Sequence, residues 1–174
     1  MPSRTCSSYE LLTTCLWYVD YLDGQAKFHF EQVAEEEFPG VNVVRFDNVS
    51  VLDDDEFVVQ MKEKVMNKPG ISIHGTLPFV SWRSLRNAKS ASAHLTTKQL
   101  QEQKRARNLL NKFISLASVA IRHGGHISFE WPASCSGWLL PELSDFITRF
   151  SLYVVDIDGL LLESETPFSN EWRF

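Results

Sequence analysis

Short apolar, β-branched runs alternate along this chain with longer segments of helical period, and that alternation limits the fold more than any composition figure does. Val41–Phe46, Ile71–Gly75, His126–Trp131 and Leu152–Ile157 are each too short for a stable helix and read as strands. Between them, apolar residues recur at spacings of three and four. Residues 25–38 bring Phe30, Val33, Ala34 and Phe38 to one side, and Pro39-Gly40 stops that helix. Asp53, Asp54 and Asp55 open the next, since carboxylates at a helix start cap free N–H groups and oppose the macrodipole. Phe57, Val58, Met61 and Val65 form its stripe, and Pro69-Gly70 ends it. Thr96 and Gln99 make a capping-box pair for a long helix reaching about Arg122, with Leu110, Phe113, Ile114, Ala117 and Ile121 on one face and Gly124-Gly125 after it. Pro141–Phe150 is a further helix with Leu143, Phe146, Ile147 and Phe150 inward. Residues 9–22 suit a strand, a helix or one of each. The repeat predicts an α/β fold with a Rossmann-like, mainly parallel sheet and helices on both faces. At 174 residues the chain fits one domain, 1–174, with 1–8 and 164–174 as flexible ends.

Charge is unevenly spread. From Thr76 to His123 the cations are Arg83, Arg86, Lys89, Lys98, Lys104, Arg105, Arg107, Lys112 and Arg122, against the single acid Glu102, although the whole chain carries −5. The basic segment 83–112 has the footprint of a nucleic-acid contact. Its plainer reading, slightly favoured, is a solvated helix face whose partners are acids elsewhere in the fold. The run Leu11–Leu22 is broken by Thr13, Thr14 and Asp20, too short and polar to span a membrane, and no signal-peptide pattern is seen. Three cysteines without zinc spacing fit a reducing, intracellular compartment, cytoplasm or nucleus alike.

The stretch from His126 to Trp138 holds the clearest site candidate. Ile127 and Phe129 point one way, Ser128 and Glu130 the other, and Pro132 interrupts the ladder because it has no N–H. Glu130 and Trp131 therefore sit at a strand's carboxyl end, where open α/β sheets place ligands. Asp47 and the Pro78-Phe79 loop follow strands in the same way. The order of strand, Gly-x-x-Pro-x-x-x-Trp loop, long helix, strand ending Phe-Glu-Trp-Pro, helix and strand ending Asp-x-Asp-Gly resembles the cytosine-5 DNA methyltransferase fold, in a divergent branch found with mobile elements. The resemblance covers roughly residues 41–174.

That resemblance implies S-adenosylmethionine as cofactor, a Pro-Cys pair as nucleophile loop and a glutamate that holds the base. Pro78 matches the proline and Glu130 the glutamate, but Phe79 stands where the cysteine belongs, and a phenyl ring cannot attack a pyrimidine. The chain has no Gly-x-Gly, so the cofactor turn is missing, with Tyr21–Gly24 as a remnant at best. The expectation is a catalytically inactive methyltransferase-like protein lacking part of the amino-terminal cofactor-binding unit, with residual nucleic-acid binding. The alternatives are a non-catalytic interaction protein, or an active methyltransferase that needs no cysteine. Candidate substrate contacts are Pro78, Trp82, Trp131, Arg83 and Arg86, and the candidate cofactor contact is Asp47. A truncated sheet would also expose an edge for dimerisation.

Other constellations are weaker. Cys135 is an alternative nucleophile, but nothing basic beside it in sequence would activate it. Asp47, Glu130, Asp156 and Asp158 suggest a carboxylate metal cluster, although acids after strands commonly serve turns and solvation. No metal is expected. Trp82, Trp131 and Trp138 either form a stacking surface for a base or simply roof the core. His74 alternates with Ile71 and Ile73 and reads as a packed strand residue.

Overall fold

The computed structural model describes residues 15–19, 42–46, 49–79, 82, 97–158 and 171–173. The strands are β1 (Cys15–Val19), β2 (Asn42–Phe46), β3 (Ser72–Thr76), β4 (Ile127–Pro132), β5 (Asp156–Asp158) and β6 (Glu171–Arg173). The helices are α1 (Asp55–Asn67), α2 (Thr97–Arg122) and α3 (Pro141–Phe150), with 3-10 turns at Val49–Asp53 and Ser136–Leu139. The chain is an α/β protein built on one six-stranded sheet of order β2-β1-β3-β4-β6-β5. β1 through β4 run parallel, while β6 lies antiparallel between β4 and β5. β5 therefore shares the direction of β1 through β4.

Local chemistry accounts for the elements. Asp54 caps α1, its carboxylate accepting from the Glu56 N–H at 2.9 Å, while Asp55 and Glu56 occupy the first turn. Of the three aspartates, Asp53 instead ends the preceding 3-10 turn. Val58, Met61 and Val65 are buried as their spacing predicts, and Phe57 is partly so. Helix α2 buries a wider band than its sequence stripe suggests, running through Leu109, Leu110, Phe113, Leu116, Ala117 and Ala120. The reason is its position: it lies across β3 and β4 and is flanked by α1 and α3, so more than one face meets other side chains. Gly124 (φ +79) takes the left-handed conformation after it. Thr96 and residues 25–38 lie outside the described residues, so the capping box and the helix expected there do too.

Two expectations change. Leu152–Ile157 does not form a buried strand. Ser151 closes α3 in the left-handed conformation (φ 52, ψ 45), and the chain leaves at the surface, with Tyr153 92% exposed; only Asp156–Asp158 pair. β5 is an edge strand, so nothing requires the preceding apolar run to be buried. The carboxyl-terminal tail, expected to be flexible, supplies β6. β4 ends at Pro132 as expected; this last residue stands in register with Trp172, and its carbonyl is taken by the Cys135 N–H and Trp138 Nε1. No helix among the described residues is long and apolar enough to cross a membrane.

Candidate functional site on the polar face of β3 and β4

Alternation splits the two central strands into unlike faces. Ile73, Gly75, Ile127, Phe129 and Trp131 turn toward α2, where Phe113 packs at a tilt against Phe129 with ring centroids 5.2 Å apart. A Cβ on Gly75 would collide with the Phe113 ring, so this close approach requires glycine. The opposite face carries Ser72, His74, Thr76, Ser128 and Glu130. Central parallel strands are normally apolar on both faces, so this polar row, buried at Thr76 and exposed at Ser128, stands out.

Register brings the polar residues together. In the β3–β4 ladder His74 lies opposite Ser128, and Thr76 opposite Glu130. The Thr76 hydroxyl donates to Glu130 Oε1 at 2.7 Å. His74 Nε2 lies 3.8 Å from the same oxygen, close but too long for a hydrogen bond. On the other edge of the ring, His74 Nδ1 and Ser128 Oγ are 2.7 Å apart. Thr76 is fully buried, the Glu130 side chain is 16% exposed, and Ser128 is open to solvent. Burial pushes the Glu130 carboxyl up, but the nearby His74 ring and the Thr76 hydroxyl outweigh it and leave the group below its ordinary value. Glu130 is thus a carboxylate at neutral pH. Among the described residues its Oε2 takes no hydrogen bond and remains available as an acceptor.

The remaining candidates are placed differently. Trp131 offers no stacking face, which corrects its assignment as a substrate contact. It is 0% exposed, its Nε1 donates to the Leu77 carbonyl at 2.8 Å, and its ring meets Phe129 and Trp138 edge-on. Pro78 and Phe79 are half-buried, and Phe79 packs against the core. Trp82 also packs there, held by Ser136 Oγ donating to its carbonyl at 2.7 Å, yet its own Nε1 is buried without an acceptor. Trp131 and Trp138 therefore roof the core. Cys135 is buried, and burial pushes its thiol up to about 11, which leaves it protonated and unreactive at neutral pH. Arg83, Arg86, Lys89 and Asp47 lie outside the described residues. Among the described residues no three His, Cys, Asp or Glu side chains converge on a metal position.

Lys98, Arg105, Arg107 and Lys112 of the basic segment are paired with acids. Arg105 Nε donates to Asp53 Oδ2 at 3.0 Å, Arg107 grips Glu142 with two nitrogens, and Lys112 reaches Asp55 Oδ1 at 2.7 Å. Lys98 lies 4.0 Å from Glu102. Sequence reasoning found Glu130 but treated His74 as packing and passed over Thr76 and Ser128. The overlooked signal was the matched polar alternation Ser72-x-His74-x-Thr76 and Ser128-x-Glu130 on two neighbouring strands. No family model, curated protein or solved structure matches this chain.

Proposed function

We propose that this chain is a methyltransferase-like α/β protein, a divergent relative of the cytosine-5 DNA methyltransferases found with mobile elements, that has lost methyl transfer and keeps a ligand site at Glu130. One observation carries the reading. Glu130 is fixed as a carboxylate at the carboxyl end of a central parallel strand with one oxygen available, while Phe79, at the nucleophile position, packs into the core. Strand order supports the Rossmann-like part: β2 and β3 flank β1 on opposite sides, and such a reversal is where open α/β sheets bind ligands. An ionised carboxylate only accepts hydrogen bonds. The ligand must therefore bring donors, as the amino edge of a nucleobase does. Asp47 and the Tyr21–Gly24 turn lie outside the described residues.

The test is thermal unfolding with nucleosides, single-stranded oligonucleotides and S-adenosylhomocysteine, beside a labelled methyl-transfer assay on DNA and RNA. A ligand at about 100 times its Kd adds about 2.7 kcal/mol, a shift of several degrees. An amino-bearing nucleoside is expected to raise the melting temperature of the wild type and not of Glu130→Gln, with no label transferred. Label transfer that disappears in Glu130→Gln would overturn the loss of activity, and failure of every nucleoside and oligonucleotide to shift the wild type would overturn the ligand site.

A further inference from the structure

The geometry points to a second chemistry on the same polar face: Ser128, His74 and Glu130 form a nucleophile, base and orienting carboxylate able to hydrolyse small activated esters. The relay does not depend on the nucleobase reading. An activated hydroxyl requires a base within hydrogen-bond reach and a third group that orients the base. Ser128 Oγ is 2.7 Å from His74 Nδ1, and Nε2 of the same ring faces Glu130 Oε1 at 3.8 Å. The carboxylate attracts the ring proton to Nε2, which leaves the Nδ1 lone pair for the serine hydroxyl. Thr76, fully buried, pins Glu130 Oε1 at 2.7 Å, so the orienting group is itself oriented. The three residues alternate on one face of β3 and β4, fixed by ladder register rather than by a mobile loop. Ser128 is the member exposed to solvent, as a nucleophile must be, while His74 and Glu130 are both mostly buried.

The step balances without a cofactor. Ser128 Oγ forms a bond to the acyl carbon as its proton passes to His74 Nδ1. The imidazolium faces the Glu130 carboxylate. The bond from the acyl carbon to the leaving oxygen then breaks, and His74 returns the proton to that oxygen. Water repeats the sequence on the acyl-serine, giving a carboxylic acid and restoring the serine hydroxyl. Ser128 and His74 touch the reacting atoms, whereas Glu130 and Thr76 are positioning residues.

An alkyl fluorophosphonate tests the nucleophile directly, because Oγ displaces fluoride and leaves a stable adduct that peptide mass mapping locates. The expected result with the full chain is one adduct on Ser128. Its rate should rise with pH through a single ionisation, fall by about 10²–10⁴ in His74→Gln with loss of that ionisation, and be absent in Ser128→Ala. p-Nitrophenyl acetate hydrolysis should follow the same ranking. Glu130→Gln should slow labelling and move the midpoint of the pH profile, a readout that a merely structural carboxylate would not change. No adduct on Ser128 in the wild type would overturn the proposal whatever the variants do. So would labelling at an unchanged rate in a His74→Gln protein shown by circular dichroism to be folded.

Discussion

Glu130 is the residue on which the structure concentrates its electrostatics, and its linkage to stability has a definite sign. Burial opposes its charge, but His74 and Thr76 together lower its pKa below the ordinary 4.5. A carboxyl whose pKa falls on folding stabilises the native state above its unfolded pKa. That contribution is lost as pH drops through about 4.5 toward the lower folded value. Urea midpoints measured from neutral pH to about pH 3 should therefore fall for the wild type across this acid range and fall less for Glu130→Gln. Glu142, lowered by its hydrogen bond to Arg107, titrates with the same sign in both proteins and cancels in the comparison. Equal acid sensitivity in the two proteins would contradict the assignment. Glu130 was legible in the sequence because Pro132 and the alternation marked a strand end. Its partners were not. His74 and Thr76 each bond across to a residue 54 positions later, and that offset is a property of the β3–β4 register, which local sequence does not contain.

At the scale of elements, β3, β4 and α2 form the layer that holds the site, and Gly75 sets how closely they approach. Phe113 from α2 lies over Gly75 and packs at a tilt against Phe129. Gly75→Ala should drive the ring out of place and cost about 1–3 kcal/mol, the usual range for an overpacked core. Phe113→Leu in the same chain should recover part of that loss, because it removes the atoms that collide. Denaturant unfolding of the two variants decides the matter, and a Gly75→Ala protein as stable as the wild type would mean that α2 is not held against β3 as described. Periodicity revealed these elements well where amphipathicity was one-sided: α1, α2 and α3 start within a few residues of their expected positions. It was less informative at Leu152–Ile157, where four apolar residues in a row carry no sign of which side is covered. It was silent at Glu171–Arg173, since three residues that enter a sheet by pairing between two distant strands leave no periodic trace.

For the whole molecule, the uneven charge acts as internal cross-linking. Arg105, Lys112 and Arg107 of α2 meet acids from two separate segments: Asp53 and Asp55 before and within α1, and Glu142 at the start of α3. Each is an exposed or partly exposed pair, weak alone and screened by salt. Together they tie the three helices on one layer, and they oblige any polyanion to displace a bound carboxylate before it gains Arg105 or Arg107. The triple substitution Lys104→Ala, Arg105→Ala and Arg107→Ala distinguishes the two uses of this charge. If α2 is cross-linked, as the ion pairs indicate, the variant melts earlier, the loss shrinks as salt is added, and single-stranded oligonucleotide affinity by fluorescence anisotropy stays within about twofold of the wild type between about 50 and 200 mM salt. If α2 is instead a phosphate-binding surface, the variant loses affinity steeply and its dependence of log K on log salt flattens by about 0.9 for each contact removed from a duplex, or about 0.7 on a single strand. The first outcome leaves Glu130 and its neighbours on the polar sheet face as the place where the described part of this protein meets a ligand. The second would move that role to α2.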